Sequence, residues 1–303
     1  MGEQQWCLRV NRDGAEDIRR ILLAEGVLDR TLKIRPDGDT LLFPILNERE
    51  GAFQADFEQI RQRAELPRHE LVGGIAILQD DDPVGAATIL RERPSIHTAL
   101  FAESPVEGEF RTKRFRVLAG EETTTTTHTE YGHTFRIDLE KAYFSARLAS
   151  ERQRIVEMMQ KGEEVLDMFA GVGPFAIMLA KRASVVWACD LNPEAVSLLI
   201  SNIGSNRVSN IVPILADAGV LPDIFGKRFD RIVMNLPLMA ERFLPAAFSL
   251  CRSGGVIHFY SLVSDDEEEN ALLSHMPVRY VKKHFVRSYA PGKSHMVFDI
   301  GVR

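Results

Sequence analysis

Glu164-Val165-Leu166-Asp167-Met168-Phe169-Ala170-Gly171-Val172-Gly173-Pro174-Phe175 is an apolar run that ends in an acid, passes through two glycines and restarts at a proline. That order spells strand, tight turn, helix. Glycines let backbone N–H groups approach a ligand with no Cβ in the way, and Pro174 opens a helix where its missing N–H costs nothing. Gly171-Val172-Gly173-Pro174-Phe175-Ala176 also fits the dinucleotide spacing G-x-G-x-x-G/A, and the next run, Val185 to Cys189, ends in Asp190, where a ribose-binding acid is expected. The turn alone does not choose between a nicotinamide dinucleotide and S-adenosylmethionine. Later strand ends shift the balance: Asp217 follows the run Ile211 to Leu215, and Asn235-Leu236-Pro237 follows Arg231 to Met234. Open α/β sheets bind ligands at the carboxyl ends of their strands, so these groups fit the adenine of S-adenosylmethionine and a planar nitrogen acceptor.

Each of these residues also has a simpler role open to it. Gly171 and Gly173 suit close helix–strand packing, Asp190 competes with Asn192 for the N-cap of the helix starting at Pro193, Asp217 suits a loop, and Asn235-Leu236-Pro237 suits a turn with nothing bound.

At 303 residues the length suggests about two or three domains. An apolar content of 45 % is that of an ordinary globular protein, and no stretch approaches the roughly 18 apolar residues of a membrane span. Met1-Gly2-Glu3-Gln4-Gln5 has neither the basic nor the apolar region of a secretion signal, so a cytoplasmic location is expected. Cys7, Cys189 and Cys251 form no C-x-x-C pair, which argues against a metal site and a disulfide framework. The net charge of −6 disfavours indiscriminate coating of nucleic acid. Two basic runs with interleaved aromatics nevertheless stand out, Arg111 to Arg116 and Arg279 to Arg287, with a third group at Arg147, Arg152 and Arg154. A solvated face would account for one such run; three favour a phosphate-facing surface.

Residues 1–50 read as a small α/β module, and the polar stretch Asn47 to Pro67 as a helix-prone linker. Over 68–146 the pattern is α+β with an antiparallel sheet, in which Thr123 to Thr127 form part of a strand because β-branched residues suit one. From 147 to 303 strands and helices alternate, and Asp265-Asp266-Glu267-Glu268-Glu269 reads as an acidic helix start.

Tyr143-Phe144-Ser145-Ala146-Arg147-Leu148-Ala149-Ser150-Glu151-Arg152, then Asp167 to Phe175, Asn235-Leu236-Pro237 and Ser288-Tyr289-Ala290-Pro291, preceded by Val117-Leu118-Ala119-Gly120-Glu121, together resemble the archaeal/eukaryotic tRNA (guanine-N1)-methyltransferases that modify guanosine 37 beside the anticodon. The resemblance spans nearly the whole chain. It implies an α/β fold: a class I (Rossmann-like) S-adenosylmethionine methyltransferase domain over 147–303, preceded by the small module, which contacts the tRNA, and by the middle domain. It further implies Glu151 as general base and Arg111 as hydrogen-bond donor to guanine O6, with Asn235 and Pro237 framing the target base. Tyr143, Asp167, Phe169, Gly171, Gly173, Asp190, Leu191, Asp217, Asn235 and Leu236 would hold S-adenosylmethionine. Lys113, Arg114, Arg147, Arg152, Lys282 and Lys283 would meet RNA. The expected partner is tRNA with a guanosine at position 37, bound by a monomer. Ala146 departs from the family, where proline is common.

The chemistry demands these roles. Guanine N1 carries a proton at neutral pH, so a carboxylate must take it as the methyl arrives, while charge developing toward O6 calls for a guanidinium. The base must also leave the anticodon-loop stack to be reached. Glu151 has an alternative as an ion-pair partner of Arg147 or Arg154, and Arg111 as a phosphate contact. Three functional alternatives stay open: the wyosine-pathway transfer of an aminocarboxypropyl group, methylation of the tricyclic wyosine intermediate, and RNA binding without catalysis. Asn235-Leu236-Pro237 speaks for methyl transfer.

Overall fold

Alternation of half-buried and exposed residues along β1 (Glu3–Asn11) makes it the centre of the first sheet in the computed structural model, which describes residues 3–60, 64–105, 108–264, 273 and 275–303. Helix α1 (Ala15–Ala24) follows, then β2 (Arg35–Asp37), β3 (Thr40–Pro44) and β4 (Phe53–Phe57). The antiparallel order is β2-β3-β1-β4. Leu22 of α1 packs with Phe43 and Ile45, while Cys7, Leu42 and Phe57 fill the other face. The module therefore extends beyond residue 50, and the linker reading of 47–67 is corrected: Phe53-Gln54-Ala55-Asp56-Phe57 has the period of two of a half-buried strand, and pairs with β1. The chain divides into two units, residues 1–65 and 66–303.

The second unit opens with β5 (His69–Val72), β6 (Ile75–Leu78), helix α2 (Pro83–Glu92), β7 (Thr98–Ala102) and β8 (Phe115–Gly120). The sheet β5-β6-β7-β8 is mixed rather than antiparallel, because α2 is a crossover that makes β6 and β7 parallel. A hairpin of β9 (Thr125–Glu130) and β10 (His133–Asp138) comes next, and takes up three of the five consecutive threonines. Asn202 fastens it by accepting from the Arg136 amide at 2.7 Å and donating to the Arg136 and Val172 carbonyls.

Helix α3 (Ala149–Met158) leads into the βα alternation: β11 (Glu164–Asp167), α4 (Pro174–Leu179), β12 (Val185–Asp190), α5 (Pro193–Ser205), β13 (Ile211–Leu215), α6 (Leu221–Ile224), β14 (Phe229–Met234), α7 (Leu244–Leu250), β15 (Cys251–Ser264), β16 (Val278–Ala290) and β17 (Lys293–Val302). These strands form one seven-stranded sheet of order β13-β12-β11-β14-β15-β17-β16. The first five are parallel; the β16–β17 hairpin closes the sheet antiparallel. Strand order reverses between β11 and β14, which opens a crevice at their carboxyl ends. One core joins Val72, Ile75 and Phe135 to Val165, Phe175 and Tyr260, so residues 68–146 share their interior with the large sheet. The acidic run 265–269 lies outside the described residues, and no described helix is long and apolar enough to cross a membrane.

Each unit has its own sheet and apolar interior. A chain reduced to residues 66–303 should therefore fold alone, with a cooperative thermal transition by circular dichroism. A broad, non-cooperative melt would show that its core depends on residues 1–65.

Candidate active site

The glycine turn sits at the point of strand-order reversal. Val165 and Leu166 bury β11 against its neighbours, and the chain then turns through Gly171 (φ 55°) and Gly173 (φ 93°) into α4. A Cβ on Gly173 would lie 2.4 Å from Leu199, so glycine is required there for packing as well as for backbone conformation. The Gly171 amide donates to Asp190 Oδ2 at 2.6 Å, and the Asn192 amide donates to Oδ1 at 2.9 Å. Burial raises the pKa of Asp190 while those backbone bonds oppose the rise. An ionised carboxylate has about four acceptor positions, so both oxygens of Asp190 retain capacity for a diol. Asn192, not Asp190, caps α5, accepting from the Glu194 amide. Asp167 is buried beneath the turn, and burial pushes its carboxyl up to about 7 although the nearby Phe169 and Ala176 amides oppose the rise.

A cleft of about 1090 Å³, mouth included, opens above the turn. Of the proposed cofactor residues, Tyr143, Phe169, Gly171, Asp190, Leu191, Asp217, Asn235 and Leu236 line it; Asp167 and Gly173 support it from beneath. Asp217 accepts from the Gly219 amide at 2.7 Å. Phe243, the residue just before α7, meets Phe169 edge-on at 5.0 Å and completes an apolar wall. Phe110, Phe144, Ser145, Asn192, Arg242 and Phe243 also line the cleft and were not anticipated. Phe144 and Ser145 adjoin the motif residue Tyr143, but nothing local marks Phe243, which reaches the wall by tertiary packing. Pro237 lies off the cleft, its carbonyl accepting from the Leu262 amide.

Arg111 reaches the same cleft from the turn before β8. Its backbone is left-handed (φ 56°), a cost of roughly 1–3 kcal/mol for a non-glycine residue. Its guanidinium lies 5.0 Å over the Tyr143 ring, and its Nε is buried without a partner. Burial lowers the Arg111 pKa, with Tyr143 and Tyr289 opposing. This is a poorly compensated donor in a side chain that lines the cleft.

Two neighbouring residues of α3 part company. Glu151 is buried behind the cleft wall, where Arg154 donates to both its oxygens and the Tyr260 hydroxyl donates to Oε1 at 2.7 Å. The Arg154 pairing anticipated as its alternative role is therefore present, in an interior setting. Arg152 corrects the RNA-facing expectation: it is 1 % exposed and forms a two-pronged pair with Glu130, at 2.7 and 2.5 Å. A guanidinium so paired and so deeply buried is withdrawn from any phosphate at the surface. Arg154 is likewise taken up internally, and the half-exposed Arg147 pairs with Glu70 at 2.7 Å. Lys113, Arg114, Lys282 and Lys283 lie away from the cleft. Arg114 and both β16 lysines are exposed, with Lys282 Nζ over Tyr280 and Lys283 Nζ over Phe298.

A doubly wound sheet with a glycine turn at its point of reversal, an acid closing the next strand and an apolar slot beside it defines a class I, S-adenosylmethionine-dependent methyltransferase. The paired acceptors of Asp190, the aromatic wall of Phe169 and Phe243, and the Cβ-free approach at Gly171 fit a nucleoside cofactor. The sequence model of the TRM5/TYW2 methyltransferase domain matches residues 126–288 and that of the tRNA methyltransferase 5 N-terminal domain matches residues 7–53, and the chain belongs to the TRM5/TYW2 methyltransferase family. It is 37 % identical to the tRNA (guanine(37)-N(1))-methyltransferase Trm5b of Pyrococcus abyssi over 98 % of each chain. It is 32 % identical to the tRNA(Phe) (4-demethylwyosine(37)-C(7)) aminocarboxypropyltransferase of Methanocaldococcus jannaschii over 77 % of this chain and 96 % of that one. The solved complex of aTrm5 and tRNALeu superposes with a TM-score of 0.84 at 30 % identity, covering 98 % of this chain and 99 % of that one.

Replacing Asp190 by alanine should weaken S-adenosylmethionine binding, measured by calorimetry, far more than tRNA binding, because both the diol acceptor and the tether of Gly171 disappear. Equal losses would count against the assignment. Burial works against ionisation of Glu130, but hydrogen bonds from Arg152 and then His128 outweigh it and leave its pKa below the ordinary value. That contribution to stability is present above the unfolded carboxylate range and is lost as pH falls through the folded value. Glu130→Gln should thus cost about 3–5 kcal/mol in urea unfolding at pH 7, and progressively less below about pH 4. A penalty independent of pH would contradict the ion pair.

Proposed function

We propose that this protein transfers the methyl group of S-adenosylmethionine to N1 of guanosine 37 in tRNA, forming 1-methylguanosine. The observation that carries the proposal is the convergence of Arg111, Tyr143 and Asn235, from three separated stretches of sequence, on the cleft defined by the glycine turn and Asp190. Bound S-adenosylmethionine supplies an electrophilic methyl group on a sulfonium. Tyr143 and Asn235 orient the flat target base in front of it, the amide offering both a donor and an acceptor to the Watson–Crick edge. Arg111, whose Nε is unpartnered, donates to O6 as negative charge gathers there. Glu151 takes the N1 proton; it lies in the first turn of α3, whose neighbours Leu148 and Arg152 border the cleft. Pro237 shapes the turn that presents Asn235.

Lys113, Arg114, Lys282 and Lys283 are assigned to tRNA phosphates. Exposed Phe285 and Tyr289 follow Lys282 and Lys283 along the same edge strand, a mixture suited to a looped single strand. Arg147, half-exposed beside Glu70, remains a candidate RNA contact. The closer match in length to Trm5b, 98 % of the chain against 77 % for the aminocarboxypropyl relative, supports methyl over aminocarboxypropyl transfer.

The test is single-turnover methylation of tRNA transcripts with and without guanosine at position 37, with nucleoside analysis of the product. Only the former should yield 1-methylguanosine. Glu151→Gln should slow that step by roughly 10²- to 10⁴-fold with cofactor and tRNA affinity unchanged, and Arg111→Lys should also slow it, since an ammonium lacks the planar fork. Methylation independent of position 37, or a wild-type rate for Glu151→Gln under saturating conditions, would overturn the substrate or the base, respectively.

A further inference from the structure

A continuous line of side chains crosses the α3 face of the seven-stranded sheet and ends at Glu151, behind the cleft wall. Arg231 donates to Glu163 at 2.6 Å and to His258 Nε2 at 2.5 Å. His258 Nδ1 donates to Asp299 Oδ1 at 2.6 Å. Arg154 donates to Asp299 Oδ2 at 2.7 Å and to Glu151 Oε1 at 2.6 Å, where the Tyr260 hydroxyl also donates. A guanidinium only donates, so Arg231 makes His258 Nε2 an acceptor and places the ring proton on Nδ1, facing Asp299. His258 is neutral in this arrangement, and burial lowers its pKa accordingly. Burial works against ionisation of Asp299 too, yet hydrogen bonds from His258 and Arg154 hold it far below the ordinary carboxylate range.

The charges then count simply. Glu151, Arg154 and Asp299 together carry one net negative charge, and when Glu151 accepts a proton they become a neutral Arg154–Asp299 pair beside a carboxylic acid. If Asp299 were neutral, the same proton would leave a largely buried guanidinium with no counter-ion. Two further titratable groups face the line. His284 of β16 has Nε2 3.1 Å from Asp299, and His295 of β17 has its ring 5.7 Å from that of Tyr260. Burial, then Arg287 and Arg111, push His295 down to about 4, so it adds no charge near neutrality.

We propose that Asp299, oriented by His258, is a positioning residue for methyl transfer: it is the standing counter-ion of Arg154 that lets Glu151 take up the N1 proton. The inference rests on Glu151 being the proton acceptor.

The experiment is a mutant cycle in single-turnover methylation at saturating tRNA and S-adenosylmethionine, with thermal unfolding to confirm folding. Asp299→Asn should slow the step by roughly 10- to 100-fold, the scale of one charge at the effective dielectric of a half-buried pair. Adding Arg154→Gln restores the original charge change and should bring the rate back to within about threefold of wild type. In a Glu151→Gln background, Asp299→Asn should cause no further loss, because no proton is taken up there. A purely structural Asp299 would give a loss in both backgrounds and no rescue, and either result overturns the counter-ion role alone. A wild-type rate for Asp299→Asn does the same. Glu151→Gln at the wild-type rate would overturn the base assignment and this inference with it. Should Asp299→Asn fail to fold, Arg154→Gln by itself decides: a rate at or above wild type supports the inference. A tenfold loss overturns it, since Arg154 would then be holding Glu151 in place rather than competing for it.

Discussion

The reversal of strand order about β11 is the constraint on which the rest of the molecule depends, because it leaves the carboxyl ends of β11 and β14 facing an open crevice that no crossover helix covers. The Gly171–Asp190 hydrogen bond then ties the rim of β11 to that of β12. With these two edges fixed, Asn235 at the end of β14 faces the turn across the gap, and Arg111 and Tyr143 meet it from elements earlier in the chain. The edge-to-face packing of Phe169 against Phe243 combines exclusion of water from aromatic surface with the attraction of a positive ring edge for a negative ring face.

Helix α3 joins this site to the rest of the second unit through charge. Arg152 reaches Glu130 in the β9–β10 hairpin, while Arg154 reaches Asp299 in β17. Burying such pairs gains little net stability, since desolvation offsets most of the attraction, but breaking one strands a charge. They therefore act as orientation devices: the rotation of α3 that satisfies both arginines also points Glu151 toward Tyr260. Asn202 performs the neutral equivalent, joining the hairpin to the glycine turn through the Arg136 and Val172 carbonyls.

What the amino-acid sequence determined by itself was whatever depends on near neighbours in the chain. The strand, glycine turn and helix at 164–175 were legible because apolar runs and glycine geometry are local properties, and the same holds for the βα alternation and for the acids at the strand ends. Motifs spread along the chain pointed to the family and to several of the residues that line the cleft. A short strand inside a polar stretch, 53–57, was masked by its surroundings, and the parallel β6–β7 pair depended on how a short helix crosses over. The fates of the arginines were decided only in three dimensions. Arg147, Arg152 and Arg154 look alike in sequence, and what withdraws the last two from a phosphate-binding surface is a carboxylate supplied from far along the chain, Glu130 and Asp299, whereas Arg147 stays half-exposed beside Glu70. Tertiary structure likewise turned Glu151 from a helix acid into a member of a buried charge line, and brought Phe243 to Phe169. The physical reason is common to all of them: Coulomb and packing energies depend on distance in space, and chain proximity reports that distance only within a turn or two of helix or across a tight hairpin.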